Sequence, residues 1–436
     1  MTAQLRRLTG PAPRPALLAA AQRLIPVFNE LAAGAVAREA DHVIDHDAID
    51  RLRAAGYTTL RIPTEFGGAG LGLAEFYPFV IELGTADPNL VQALRAHLLC
   101  VEQLLVAPQD ERRARWLHRI GAGAVVGNAV TEVDNRAGQV TTRVSHDGDA
   151  YRLDGTKYYS TGSLYADWIQ VHAEDEEGRS VWAFVPSDAP GVTMTDDWDG
   201  FGQRLTASGT TVFTGVPVAA DEVVPSPYST AASHAQALAQ SVHLANLAGI
   251  AQSIVRDATA YVAGRTRSYS HANTPLPRHD PQVQQVIGEL SAAAYAARAV
   301  FLAFVDELAE VQHRVAAGIA TDDDYTAIDI SAYQAQLAIA PSVLRAATQL
   351  FEVGGASQTS RARGLDRHWR NARVLAQHNP LIYRARLAGS HLLNGGHRAV
   401  QYTVGTAPGA GAAAATATTS SSAAAAAPDS GFPVGS

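Results

Sequence analysis

Residues 153–163 read Leu153-Asp154-Gly155-Thr156-Lys157-Tyr158-Tyr159-Ser160-Thr161-Gly162-Ser163, at the centre of a stretch, 127–208, that reads as β in a chain otherwise patterned for helix. Runs of Val, Thr and Tyr are separated by two Asp-Gly pairs, Asp147-Gly148 and Asp154-Gly155, the short-range signal for successive hairpins. The stretch opens with Gly127-Asn128-Ala129-Val130-Thr131-Glu132. It closes with Asp197-Trp198-Asp199-Gly200-Phe201-Gly202-Gln203-Arg204 and Ala207-Ser208. Hydroxyl, amide and aromatic side chains crowd the strand ends, where a planar polar ligand could be held by its edge.

Working outward, helical patterns flank this β module on both sides. Before it, apolar spacing predicts helices over 15–40, 47–55, 73–84, 90–105 and 111–120, with residues 1–13 as a loose arm. His42 and His46, four apart, would share a face on one helix; a metal pair there lacks a third ligand, and a solvated helix end is the simpler reading. The glycines of 61–72 lack the spacing of a dinucleotide fingerprint and read as a tight connection. After it, helices are expected over 230–263, 283–311, 323–351 (with Pro341 inside) and 380–400. Val283, Ile287, Leu290, Ala294, Ala297, Phe301, Phe304, Leu308 and Val311 give the clearest helical period. Three or four long helices of this kind make a bundle.

The fold expected is therefore mainly α with a central β domain. An N-terminal helical domain spans 14–122, a middle β-barrel-like domain 123–228, a C-terminal four-helix bundle 229–403, and a disordered tail 404–436. The 436 residues are 47% hydrophobic, enough for several cores. A net charge of −8 argues against nucleic acid. No uninterrupted apolar run suggests a membrane span, no signal core follows Arg6-Arg7, and one cysteine, Cys100, excludes an internal disulfide. A cytoplasmic location is expected, with no resident metal.

The motifs Ile62-Pro63-x-x-Phe66-Gly67-Gly68-x-Gly70, Val130-Thr131-Glu132, Leu153-x-Gly155-x-Lys157-x-x-x-Thr161-Gly162 and Gly202-x-Arg204 together resemble the acyl-CoA dehydrogenase superfamily over residues 14–403. The resemblance implies a flavin clamped between the middle domain and the bundle. Asn128, Thr131, Tyr159, Thr161 and Trp198 would contact its ring. Arg265 and Arg267 would bind its phosphate, often across a subunit boundary, and Arg370 and Asn371 fall among the expected cofactor contacts.

The dehydrogenases of that superfamily need a carboxylate base. Where their usual glutamate lies, downstream of Gly354-Gly355, this chain has Gln377-His378-Asn379-Pro380, with no Asp or Glu between Asp366 and Ser390. Asp366-Arg367-His368-Trp369-Arg370-Asn371-Ala372-Arg373 and His378-Asn379-Pro380 instead resemble the flavin-dependent monooxygenase branch, of dibenzothiophene monooxygenase type. That implies a homotetramer and reduced FMN from a separate flavin reductase, with FAD less favoured. It also implies a C4a-hydroperoxide that oxidises a heteroatom, sulfur first, of a small substrate. His378 would be the principal acid/base and His97 the secondary one, with Ser160 and Ser163 as neutral donors. Read alone, His97 on an apolar helix is a packed core residue, Arg265 and Arg267 satisfy a helix end, and Trp198 fills core space. The alternatives are an amine N-hydroxylase, an acyl-CoA dehydrogenase with a relocated base, and a non-catalytic flavin-binding scaffold.

Overall fold

The computed structural model describes residues 2–10, 12–133, 140–226 and 232–397; the expected tail lies outside the described residues. The loose arm expected at the N-terminus is instead a short helix, α1 (Ala3–Thr9), capped by the Thr2 hydroxyl. It is held down because Leu8 is buried and Arg7 Nε donates to Glu82 Oε1 at 2.7 Å. Helix α2 (Pro15–Asp41) starts on a proline, where the missing N–H costs nothing, and ends at His42, whose φ is +52°. His46 already belongs to α3 (His46–Ala54), so the two histidines do not share a helix face. His42 Nε2 lies 2.9 Å from Asp196, and no metal-holding group of three or more His, Cys, Asp or Glu exists among the described residues.

Helix α4 (Leu73–Ala86) follows the glycine-rich connection. The single helix expected over 90–105 is two, α5 (Pro88–Ala93) and α6 (Arg95–Val106). Leu94 breaks them at φ −86°, ψ 0°, the bridge region between helix and turn. This break turns α6 relative to α5, and it decides which side chains face the site. Helix α7 (Glu111–Gly121) leads into the β domain.

Among the described residues eight strands form one sheet: β1 (Val126–Ala129), β2 (Arg143–Asp147), β3 (Ala150–Lys157), β4 (Trp168–Glu174), β5 (Ser180–Pro186), β6 (Val192–Met194), β7 (Thr211–Val218) and β8 (Val223–Pro225). The order is β6-β7-β3-β2-β4-β5-β8, with β1 parallel to β4. Asp147-Gly148 makes the expected two-residue hairpin, Asp147 opposite Ala150. Asp154-Gly155 is no turn; it lies inside β3 as a bulge, where the register with β7 shifts. Gly155 has φ +151°, and a Cβ there would lie 2.5 Å from Thr142 Oγ1. The glycine is required by a close approach, not by a reversal of the chain. Val144, Leu153, Ile169, Val171 and Val216 form the sheet's own core. Val101, Trp116, Ile120, Val126 and Trp182 weld α6 and α7 to it.

The C-terminal domain holds α8 (Ala235–Ala263), α9 (Pro281–Ala316), α10 (Asp322–Gln349), α11 (Arg367–His378) and α12 (Leu381–Asn394). Helices α8, α9 and α10 pack on one another, and α8 also lies against α4. The last contact is close: a Cβ on Gly249 would fall 2.6 Å from the Gly84 carbonyl carbon. Helix α9 buries Leu290, Ala294, Ala297, Phe301, Phe304 and Leu308, the stripe its spacing predicts. By length and composition α9 could cross a membrane, which a search for uninterrupted apolar runs overlooks. In this fold its stripe packs into the bundle, and Arg298 on the same helix donates to the Arg7 carbonyl. Helix α11 was not anticipated; it brings the Trp369–His378 segment to the site.

Candidate functional site

A cavity of about 910 Å³ opens where the three domains meet, within the range of small-molecule and cofactor sites. The β domain supplies Asn128, Thr131, Tyr159, Thr161 and the 198–208 loop. The α5–α6 junction supplies Gln92 and Arg95, α8 supplies Gln236 and Ala239, and α11 supplies Trp369, Arg373 and His378. No aspartate or glutamate is among the described residues that line it.

The β-side wall is backbone under strain. Tyr159, Gln203 and Ala207 have φ of +56°, +53° and +51°, a region that non-glycine residues rarely enter and that concentrates at functional sites. A chain of hydroxyls runs along this wall. Thr206 donates to the Gln203 carbonyl (3.0 Å), so it accepts from Ser208 (2.7 Å), which accepts from Thr161 (2.9 Å). Thr161 Oγ1 is thereby left with lone pairs for a donor in the cavity. Trp198 Nε1 donates to the Gly202 carbonyl at 3.3 Å, and its ring lies 5.7 Å from Tyr159.

His378 ends α11 and faces the cavity from the helical side. Desolvation first, then Arg95 and Arg384, push its pKa down to about 3. The ring is nonetheless open to the cavity, so admitted water weakens the desolvation. The two arginines act in the same direction, and His378 is a neutral imidazole at pH 7.

Six of the expected residues thus share the cavity: Asn128, Thr131, Tyr159, Thr161, Trp198 and His378. The others do not line it. His97 is fully buried; its Nε2 donates to the Thr58 carbonyl at 2.8 Å, and its Nδ1 accepts from Val126 N at 3.4 Å. It ties α6 to the start of β1, and burial pushes its pKa down to about 4. Ser163 Oγ donates to the Asn128 carbonyl at 3.2 Å, and Ser160 Oγ is buried without a partner. Arg370 and Asn371 stand behind the loop that forms the wall. Arg370 Nη1 donates to the Phe201 carbonyl at 2.9 Å, and Asn371 Oδ1 accepts from Gln203 N at 2.6 Å.

Arg265 and Arg267 lie past the far end of α8. That helix has 29 residues, so at about 1.5 Å each its ends are roughly 40 Å apart. Arg265 Nη1 donates to the Val353 carbonyl at 3.3 Å, and Arg267 is exposed. Neither can reach the cavity of its own chain. Sequence reasoning missed Gln92, Arg95, Gln203, Gln236 and Arg373. Gln92 had a signal, being a polar residue inside the apolar run Leu90-Val91-Gln92-Ala93-Leu94; its Oε1 is buried without a partner.

The chain matches the acyl-CoA dehydrogenase N-terminal domain over residues 20–124, the middle domain over 128–216 and the C-terminal domain over 241–381. It belongs to the acyl-CoA dehydrogenase family. Among proteins similar to it is a probable FMNH2-dependent monooxygenase, SfnC, of Pseudomonas putida. That relative is 28% identical over 388 residues, covering 88% of this chain and 95% of the relative. The dibenzothiophene monooxygenase of Rhodococcus qingshengii is 28% identical over 79% of this chain and 86% of its own. The crystal structure of FMN-bound TdsC from Paenibacillus sp. A11-2 superposes with a TM-score of 0.82 at 26% identity, covering 88% of this chain and 99% of that one.

A dehydrogenase abstracts a proton from carbon with a carboxylate. In this member the cavity presents Gln377, His378 and Asn379 on that segment, with Arg95 and Arg373 as its charged neighbours.

Proposed function

We propose that this flavin monooxygenase takes reduced FMN from a separate reductase and, with dioxygen, oxidises the sulfur of a small organic molecule. The observation that carries this reading is the donor set of the cavity. Hydroxyls, amides, an indole, an imidazole and the guanidinium groups of Arg95 and Arg373 surround it, without a carboxylate among the described lining residues. A base there would abstract protons, whereas neutral donors stabilise developing negative charge on oxygen.

The residues fit FMN. The strand-end groups Asn128, Thr131 and Thr161 offer a row of hydrogen-bonding atoms for a planar ring edge, and Gln92 Oε1 is an orphaned buried acceptor beside them. When bound, reduced FMN supplies the electrons and the centre at which dioxygen is activated. Thr161 Oγ1, whose O–H donates to Ser208, would serve as acceptor for a ring N–H. His378 holds a proton on one ring nitrogen and accepts on the other, without becoming a cation at neutral pH. Phe201 and Trp369, stacked at 5.9 Å and 18°, border the open side and restrict water.

A homotetramer accords with this reading, because only another copy could bring Arg265 and Arg267 to a flavin phosphate. Exposed Ile382, Tyr383, Leu392 and Leu393 on α12 and Tyr295 on α9 offer apolar surface for such contacts. Sulfur as the target follows the dibenzothiophene monooxygenase likeness.

The test combines purified protein, FMN, a flavin reductase, NADH and ¹⁸O₂ with sulfides, thiophenes, sulfinates and amines. Labelled sulfoxide or sulfone, with little peroxide, is the expected outcome. Labelled hydroxylamine alone would move the assignment to nitrogen. Reduction of bound flavin by an acyl-CoA under argon would replace it with a dehydrogenase.

A further inference from the structure

Helix α8 carries His243 where no solvent reaches it, and neither of its ring nitrogens has a hydrogen-bond partner. Leaving a buried polar atom unpaired costs about 1–3 kcal/mol, and here one ring carries two such atoms. An apolar side chain of similar size would avoid both penalties. The ring is not isolated, however. Its centroid lies 4.3 Å from that of His378, with the planes 50° apart. An imidazole with no bonding role of its own therefore sits directly behind the imidazole that faces the cavity.

We propose that His243 is a positioning residue for His378. It donates a ring N–H to one nitrogen of His378, fixing the tautomer so that the other nitrogen carries its proton into the cavity. Closing the tilted contact to this hydrogen bond requires one ring to rotate about its Cβ–Cγ bond. The tautomer of a histidine is set by the bond its other nitrogen makes, and the ring of α8 in contact with His378 is that of His243. The surrounding charge keeps the pair neutral. Arg95 from α6 and Arg384 from α12 face His378, and Arg95 and His378 face His243. Burial first, then His378 and Arg95, hold His243 well below the ordinary histidine pKa. A neutral pair has one N–H between the rings and one N–H for the cavity. That is the proton a reduced-flavin oxygenase needs near activated oxygen.

The coupling part of this inference rests on the monooxygenase reading; the tautomer part does not. The experiment measures ¹⁵N shifts of the ring nitrogens in histidine-labelled protein, without flavin, for the wild type, His243→Leu and His243→Gln. Wild-type His378 should show one dominant tautomer, His243→Leu a mixture, and His243→Gln, whose amide can still donate, the wild-type pattern. An even tautomer mixture in the wild type, or no change in His243→Leu, overturns the inference whatever the activity.

In the reductase-coupled assay, His243→Leu should bind FMN and melt no lower than the wild type, yet raise the peroxide share about tenfold. His243→Leu combined with His378→Ala should be no worse than His378→Ala alone. Additive losses would also overturn it. If the wild type oxygenates nothing, the functional reading fails on its own, and the ring-nitrogen shifts still decide His243.

Discussion

Asn371 Oδ1 accepts a 2.6 Å hydrogen bond from Gln203 N across 168 positions of sequence. Gln203 holds a left-handed backbone, φ +53°, and Asn371 is what retains it. The Asn371 Nδ2 donates onward to Glu39 Oε2 at 2.9 Å, and Glu39 Oε1 forms an ion pair with Arg370 Nη1 at 2.8 Å. The 198–208 wall of the cavity is thus pinned from α2 and α11 together. Asn371→Ala should cost about 2–3 kcal/mol, the penalty for stranding a buried N–H and weakening a buried carboxylate, and should loosen FMN binding. Asn371→Asp keeps the acceptor but sets a second carboxylate against Glu39; it should be least stable at neutral pH and recover as pH falls. Urea melts at pH 5 and 7.5 check both, and equal stability of the two variants at both pH values would count against this account.

The chain's only lysine, Lys157, is fully buried and lies 2.7 Å from Glu132 Oε1. Burial by itself would raise the Glu132 carboxyl. Hydrogen bonds from Lys157, Thr141 and Thr142 overcome this and hold it far below the usual carboxylate range. Removing one partner from a buried pair costs about 3–5 kcal/mol, so Lys157→Met should lower the urea midpoint markedly, and Lys157→Met with Glu132→Gln should recover part of it. The sign of the pH effect follows. A depressed folded pKa contributes stability that is fully present above the unfolded value of about 4.3, and that contribution is lost as pH falls below it. Melts between pH 3 and 6 should show a flatter acid limb in Glu132→Gln than in the wild type.

Phe201 and Trp369 stack at 5.9 Å while both remain exposed and line the cavity. Phe201→Ala removes little buried surface, so stability should stay within about 0.5 kcal/mol. It widens the entrance, so KM should rise several-fold and more oxygen should end as peroxide, with kcat for product little changed. Steady-state kinetics with a peroxide assay separates these effects, and a fall in kcat at unchanged KM would contradict a gate.

Periodicity carried much of the fold. Helix α9, Pro281–Ala316, encloses the predicted stripe because the residues of that stripe meet the bundle on one face. Asp147-Gly148 was legible because a two-residue hairpin is local. Asp154-Gly155 was not, because Gly155 answers to Thr142 across the sheet, a contact no local pattern encodes. The site shows the same division. Strand-end residues such as Thr161 and Asn128 follow from motif and strand pattern. His97 and Gln92 lie on either side of the break at Leu94. Treating 90–105 as one helix hides that it is Gln92, not His97, that lines the cavity. His243 gave no signal at all, since its meaning depends on a neighbour 135 positions away, the difference between 378 and 243.

His97 and His378, one buried between Thr58 and Val126 and the other facing the cavity, should separate cleanly on pH and on coupling. Burial holds the His97 pKa at about 4, whereas an unfolded histidine titrates near 6.5. Between those values the unfolded chain binds a proton that the folded protein refuses. Stability should therefore fall as pH drops from about 6.5 toward 4, by up to about 1.4 kcal/mol per pH unit for this one group. His172 and His368, also held near 4 by burial, add to the same limb. His97→Gln should flatten its share of that slope and leave the product-to-peroxide ratio of the folded enzyme unchanged. His378→Ala should do the opposite, diverting oxygen to peroxide at little cost in stability, since its ring is open to the cavity. Urea melts from pH 4 to 7.5, run beside the reductase-coupled assay, measure both. If His97→Gln uncoupled turnover as strongly as His378→Ala, the wall-tying role of His97 would have to yield to a place in the chemistry.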